Sequence, residues 1–105
     1  MGLSEPYEIL ELQDGETLST HILAFEQGEL TIKPAHAPGG KTIMAIRLTV
    51  PTTEKTHFPY YWDATSKTLT AQLLPLLPEI IKLQRLVKIT KRGVAPAARF
   101  TVEVV

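Results

Sequence analysis

The chain has 105 residues, of which 44% are hydrophobic and 21% are charged, and its formal net charge is zero. This length suits one domain with one core, and the composition excludes wholesale disorder. The chain contains no cysteine, which excludes disulfide frameworks and thiolate metal sites. No apolar run approaches the roughly 20 residues of a membrane span, so we expect a soluble, cytoplasmic protein with no membrane partner.

The zero net charge conceals a segregation of charge along the chain. Residues 1–30 carry seven acidic groups and no Lys or Arg, whereas the rest of the chain carries all 11 basic groups and four acidic ones. Such asymmetry favours an acidic end and a basic body that binds anions. The alternative is that both charge types simply decorate a solvated surface.

The first part of the chain predicts short strands separated by turns. Residues 7–12 form a mixed segment that leads into a turn at Asp14-Gly15. Residues 18–25 are rich in β-branched and apolar side chains and predict a first strand. The dipeptide Gln27-Gly28 predicts a turn, after which residues 29–33 alternate as a short second strand.

The middle of the chain predicts a loop and two further strands. Residues 34–41, PAHAPGGK, form a loop because they contain two prolines and two glycines. Apolar and polar side chains alternate from Thr42 to Val50, which predicts a long strand. The aromatic run from His57 to Trp62 predicts another strand, with Pro59 favouring an edge or a bend.

A helix and a hairpin are predicted for the remainder. Residues 63–66 can cap a helix that begins near Lys67, and Pro75 and Pro78 must break it before a second short helical turn. From Gln84 to Val105 two alternating arms flank a loop at residues 93–98, the pattern of a β-hairpin.

The outward face of that hairpin is predicted to be cationic. If the register holds, the face presents the side chains of Lys88, Thr90, Arg92 and Arg99. A strand face of this kind can bind a polyanion. Phe100 alternates with Val102 and is assigned to the core instead.

The element order predicts an all-β fold with one short helix, a five-stranded antiparallel Greek-key barrel of OB type with its helix between strands 3 and 4. The segments KITKRGVAPAARFTVEV at 88–104 and YYWDATSKTLTAQLLPLLP at 60–78 also resemble compact OB-fold single-stranded-DNA-binding proteins of bacteriophages, plasmids and related replicons. This resemblance covers about the C-terminal half of the chain. It implies a β-barrel that coats single strands during replication or recombination.

We therefore predict nonspecific binding of single-stranded DNA or RNA, without catalysis and without a cofactor. Such binding needs cations that track phosphates and flat rings on which bases stack. The candidate residues of these two types are Lys41, Arg47, Lys55, Tyr60, Tyr61, Trp62, Lys67, Lys88, Lys91, Arg92 and Arg99. One side of the aromatic strand must face the core, so only part of the aromatic cluster can stack, and a lone Trp is commonly a core residue.

Two alternatives remain open from the sequence. The first is a protein-interaction or assembly module, with a possible homo-oligomer in which the acidic residues 1–30 of one subunit meet the basic face of another. The second rests on residues 35–42, AHAPGGKT, which satisfy a relaxed phosphate-loop pattern. That motif requires a helix after it, whereas the sequence predicts a strand at Thr42.

Overall fold

Two antiparallel sheets and two short helices make up the fold. The structure is a computed structural model, which describes residues 2–3, 6–32, 39–94 and 98–105. In chain order the elements are β1 (Thr17–His21), β2 (Ala24–Ile32), β3 (Lys41–Thr49), β4 (Tyr61–Ala64), α1 (Lys67–Leu73), α2 (Leu77–Lys82), β5 (Leu86–Arg92) and β6 (Arg99–Val104). One sheet has the order β1-β5-β6 and the other β2-β3-β4. The mainly β class is confirmed, and the described residues form no closed barrel.

The first two strands are divided differently from the sequence prediction. The break falls at Ile22 and Leu23, and β2 then runs without interruption through Gln27 and Gly28. The predicted turn at Gln27-Gly28 is therefore wrong. Gly28 lies opposite Ala45 in the register of β2 and β3, and both are buried, so the glycine permits close packing within a strand.

β3 is the long strand that alternation predicts, and it is the central strand of its sheet. It pairs with β2 from Lys41 to Thr49, but with β4 only from Ile46 to Thr49. The predicted aromatic strand begins at Tyr61 rather than His57. Pro59 has no N–H for a ladder, and residues 57–60 form a loop instead. The predicted loop at 34–41 lies largely outside the described residues.

The structure has two short helices where the predicted fold has one, and α1 begins at Lys67, as the sequence predicts. The Ser66 hydroxyl caps α1 by accepting a hydrogen bond from the Leu69 N–H at 3.4 Å. Pro75 lies between the helices, and Pro78 occupies the first turn of α2, where its missing N–H costs nothing. Neither helix is long and apolar enough to cross a membrane, and no other helix occurs in the described ranges.

The core lies between the helices and the inner faces of both sheets. Its fully buried members are Ile46 and Leu48 from β3, Val87 and Ile89 from β5, and Leu69, Leu73, Leu77 and Ile80 from the helices. Phe100 packs against this cluster, as its alternation with Val102 predicts. The Gln72 side chain donates a hydrogen bond to the Phe100 carbonyl at 2.7 Å, so α1 covers part of the free edge of β6.

The N-terminal residues cross the outer face of the second sheet. We call residues 2–10, of which 2–3 and 6–10 are described, the N-terminal strap. Its ends form parallel bridges from Gly2 to Glu29 on β2 and from Ile9 to Asp63 on β4. Leu3 is buried against Leu30, on the face of the sheet that points away from the main core. The strap therefore determines which residues of β3 and β4 reach solvent.

Candidate nucleic-acid interface

A buried ion pair joins the two strands beneath the N-terminal strap. The Arg47 Nε donates to Asp63 Oδ1 at 2.8 Å, and a second guanidinium nitrogen donates to Asp63 Oδ2 at 3.3 Å. Asp63 is fully buried and Arg47 is only 7% exposed. Burial alone disfavours the charged guanidinium, but the hydrogen bond and charge of Asp63 outweigh it, so the pKa of Arg47 is raised.

The strap and an aromatic ring complete the surroundings of Arg47. The guanidinium carbon lies 4.0 Å from the centre of the Tyr61 ring, a cation–π contact. Another guanidinium N–H approaches the Pro6 carbonyl at 3.4 Å, and the Tyr61 hydroxyl donates to that same carbonyl. The sequence indicates Arg47 and Tyr61 as candidate nucleic-acid contacts. This needs correction, because Arg47 is buried and the Pro6 carbonyl of the strap engages both side chains.

Lys55 is also an internal contact rather than a phosphate ligand. It is 8% exposed, and its ammonium group donates to the carbonyls of His57, at 3.2 Å, and Pro59. The same group lies 4.7 Å from the centre of the Trp62 ring and 3.6 Å from a carboxylate oxygen of Glu8. These contacts hold residues 57–60, which we call the aromatic loop, against the rest of the protein. The prediction that Lys55 contacts nucleic acid therefore needs correction, because its ammonium group is used inside the protein.

The aromatic side chains divide between core and surface. Trp62 packs against the main core, which leaves it half-buried and backed by Lys55. Tyr60 is 38% exposed, and its ring meets that of Phe58 edge to face with centroids 6.0 Å apart. Phe58, which the sequence interpretation left out of the site, is 68% exposed. The neighbouring Pro59 was the sequence signal that Phe58 lies in a loop, because proline ends the alternation of the strand.

The outer face of the β1-β5-β6 sheet carries exposed basic side chains. Lys88, Arg92 and Arg99 form what we call the cationic face, and Arg92 and Arg99 are direct cross-strand partners. Both arginines are exposed, whereas Lys88 is half-buried and lies opposite Glu103. The two arginines therefore place positive charge at the end of the hairpin where the predicted loop begins. The Asp14 carboxylate also lies at this end, where it accepts a hydrogen bond from the Gly93 N–H at 2.8 Å. Residues 95–97 of that loop lie outside the described residues.

Lys91 does not belong to this face. Side chains alternate along β5, so Lys91 points to the same side as Ile89 and is paired with Phe100. The outward positions of β1 and β5 near the arginines are occupied by hydroxyls, with Thr17 and Thr90 hydrogen-bonded to each other at 2.8 Å. The cationic face is thus bordered by hydroxyl groups that can donate hydrogen bonds to an anion.

The cationic face and the aromatic loop lie at opposite ends of the first sheet. Glu54, just before that loop in the chain, binds His21 at the end of β1. His21 is paired with Leu86, and about 20 Å of strand separates Leu86 from Arg92 at roughly 3.3 Å per residue. The basic hairpin and the aromatic residues, which the sequence analysis combines in one set of candidate contacts, therefore lie apart in the structure.

Lys41 and Lys67, by contrast, line the same groove although they are distant in sequence. They line a groove of about 450 Å³ between the start of β3 and the start of α1, with Thr42, Ile43, Met44, Thr65 and Thr70. Lys41 and Thr42 are the first residues of β3, so a strand follows the glycine-lysine sequence. This arrangement lacks the helix that a phosphate loop requires.

Comparison with known proteins identified no relative. No family model matches the chain, and no curated protein or solved structure matches it either.

A histidine–carboxylate pair lies outside these basic regions. Glu54 accepts hydrogen bonds from the His21 backbone N–H at 2.7 Å and from the Thr20 hydroxyl at 2.8 Å. Its other oxygen lies 2.5 Å from His21 Nδ1. The backbone hydrogen bond is the main cause that lowers the pKa of Glu54, against a smaller opposing effect of burial. This pair fixes the position of the loop that carries Phe58 and Tyr60.

Proposed function

We propose that the protein binds single-stranded nucleic acid without sequence preference, mainly through contacts between basic side chains and phosphates. The proposal assigns it no catalytic step. Its site begins at the cationic face, where Lys88, Arg92 and Arg99 project from β5 and β6. Base stacking is restricted to Tyr60 and Phe58, because the other aromatic candidates have partners inside the protein.

The juxtaposition of Arg92 and Arg99 is the observation that carries the proposal. Like charges directly opposite on neighbouring strands destabilise a sheet, yet these two arginines form a register pair and both are exposed. An anion bound between them removes that repulsion. Guanidinium groups are also suited to phosphate because they donate paired hydrogen bonds.

We also propose that the two sheets are halves of one partly open OB-type barrel. Only Ile22 and Leu23 separate β1 from β2, so both can be counted as one bent strand. If β1 with β2 is the first strand, β3, β4, β5 and β6 are the second to the fifth. The first strand then pairs with the second and the fourth, the second pairs with the third, and the fourth pairs with the fifth. Helices α1 and α2 lie between the third and fourth strands in the chain. This order supports the resemblance to OB-fold single-stranded-DNA-binding proteins.

The barrel proposal favours the hairpin over the second sheet as the binding surface. OB-folds bind oligonucleotides on the face of strands 2 and 3 and on the loops after strands 1 and 4. In the proposed correspondence, strands 2 and 3 are β3 and β4, and the N-terminal strap covers Arg47 and Tyr61 on that face. The loop after strand 4 connects Arg92 to Arg99, and both of these arginines are exposed.

The alternative, an assembly module using the acidic residues 1–30, has less support. Within that segment Pro6 and Glu8 already contact Arg47, Lys55 and Tyr61 of the same chain, so part of it is occupied by intramolecular contacts. Light scattering at low and high salt distinguishes the two functions. A salt-sensitive oligomer that ignores nucleic acid would favour assembly.

Fluorescence anisotropy with a labelled oligo-dT across a salt series tests the proposed function. Each phosphate contact to a single strand contributes about −0.7 to the slope of log affinity against log salt. The double variant Arg92→Ala, Arg99→Ala is therefore expected to reduce the magnitude of that slope by about 1.4 and to weaken binding at low salt.

Lys82→Ala is the matched control, because Lys82 is an exposed cation in the last turn of α2. It should bind like the wild type. Absence of wild-type binding at low salt, or equal slopes for the wild type and the double variant, would refute the proposed function.

A further inference from the structure

The groove between β3 and α1 has the features of a nucleotide phosphate site. We propose that it binds the phosphate of a nucleotide, as the next contact along a single strand held at the cationic face. This inference rests on the proposed function and extends it, because Lys41 and Lys67 lie apart from the hairpin. A groove of about 450 Å³ lies within the range of pockets that enclose small organic ligands.

The residues that line the groove are chemically suited to a phosphate. Among the described residues, the charged side chains that line it are Lys41 and Lys67, both exposed and both positive, and the hydroxyls come from Thr42, Thr65 and Thr70. Ammonium and hydroxyl groups are donors that match phosphate oxygens. No carboxylate lines the groove within the part of the chain that the structure describes. Glu29 lies opposite Met44 in the register of β2 and β3 and is an acidic residue on that face.

The end of β4 opens this groove beside the edge of β3. β4 pairs with β3 only as far as Ile46, and the chain then leaves the sheet through Thr65 toward α1. Residues 41–45 of β3 consequently have no β4 partner. Met44 on this stretch is 62% exposed, an apolar surface beside the two lysines. A nucleotide can therefore direct its phosphate to the lysines and lay its base or sugar on Met44.

Helix α1 connects the groove to the edge of β6, next to the cationic face. Residues 64–78, which include α1, contain Lys67 and no Asp or Glu, and residues 86–102 are likewise free of acidic residues. Gln72 of α1 binds the Phe100 carbonyl, next to Arg99. Lys67 precedes Gln72 on the same helix by about 8 Å of axial rise. Single-stranded nucleic acid that runs from the cationic face past the edge of β6 would therefore contact α1 and then reach the groove.

NMR titration combined with anisotropy tests this inference and identifies the source of the phosphate. Isotope-labelled protein is titrated separately with oligo-dT, with thymidine 5′-monophosphate and with thymidine. We expect resonances of Lys41, Thr42, Met44, Lys67 and Thr70 to shift with the oligonucleotide and not with thymidine. In anisotropy, Lys41→Ala with Lys67→Ala should reduce the salt slope by about 1.4, Glu29→Gln should strengthen binding, and Lys82→Ala should change neither.

The outcomes separate this inference from the proposed function. If the Lys41→Ala, Lys67→Ala variant binds oligo-dT like the wild type, while Arg92→Ala with Arg99→Ala weakens binding, the groove inference is wrong and the proposed function stands. If oligo-dT does not bind but thymidine 5′-monophosphate shifts the groove resonances, the groove is a site for free nucleotides and the proposed function is wrong. If neither phosphate ligand shifts them, the groove inference is overturned.

Discussion

Arg47 and Asp63 are neighbours across β3 and β4, joined at 2.8 Å under a strap of residues from the N-terminus. Asp63 also accepts a hydrogen bond from the Glu8 backbone N–H at 2.8 Å, so one carboxylate connects the arginine to the strap. A buried charge without its partner is much less stable than the intact pair. This pair therefore links the packing of the N-terminus to the geometry of the second sheet.

Asp63→Ala should destabilise the fold by about 3–5 kcal/mol, because it leaves the buried Arg47 without its counter-ion. Urea denaturation measures the change in the free energy of unfolding. The double variant Arg47→Met, Asp63→Leu should lose less than the single variant, since no charge then remains buried. A loss below about 1 kcal/mol for Asp63→Ala would contradict the ion-pair interpretation.

Leu3→Ala should cost about 2–3 kcal/mol, because Leu3 anchors the N-terminal strap on Leu30 and is only 9% exposed. Leu23→Ala is the matched control: Leu23 is 54% exposed and should lose about 0.5 kcal/mol or less. Thermal or urea unfolding compares the two variants. Equal effects would mean that the strap contributes no more to stability than an exposed side chain does.

Lys55→Met should destabilise the protein by about 1–3 kcal/mol, because the buried Pro59 carbonyl loses its donor. Methionine retains the apolar stem, so the change isolates the ammonium group. Trp62 is the only tryptophan and lies against that group, so its emission should change as well. Lys82→Met serves as the exposed control, and unchanged stability and emission for Lys55→Met would show that Lys55 does not hold the loop.

Stability should depend on the ionisation of Glu54. Its pKa is lowered in the folded state, chiefly by the His21 backbone N–H, so the ionised form stabilises the fold above the unfolded pKa of about 4.3. This contribution is lost as pH falls through the lower folded pKa. Glu54→Gln should therefore be less stable than the wild type at pH 7, with the difference shrinking at acidic pH. Urea midpoints measured against pH test this, and a constant difference would contradict it.

Phe58→Ala and Tyr60→Ala should weaken oligo-dT binding less than Arg92→Ala with Arg99→Ala does. The aromatic pair lies at the end of the molecule opposite the cationic face, whereas a stacked base is worth about 1–3 kcal/mol only when the ring lies in the path of the strand. Anisotropy at one low salt concentration compares the variants. A larger loss for the aromatic variants would move the binding surface to the loop at 57–60.

Local patterns were sufficient to predict much of the fold. The hairpin of β5 and β6, the long strand β3 and a helix cap within residues 63–66 follow from side-chain alternation and from helix-start residues, which act over a few neighbouring positions. Alternation also predicts that Arg92 and Arg99 share the outward face, whereas their direct pairing is seen only in the structure. The turn expected at Gln27-Gly28 was wrong because tertiary packing against Ala45 overrode the turn propensity of glycine.

By itself, the sequence determined which residues alternate, where helices are capped and where positive charge accumulates along the chain. Only the tertiary structure decided which of those charges reach solvent. Alternation separates the two faces of β3, but it does not reveal that Pro6, distant in sequence, covers Arg47. Nor does alternation reveal that Lys67 and Lys41 line the same groove. Both relations depend on how separate segments pack, and that is settled by burial and hydrogen bonding over the whole domain.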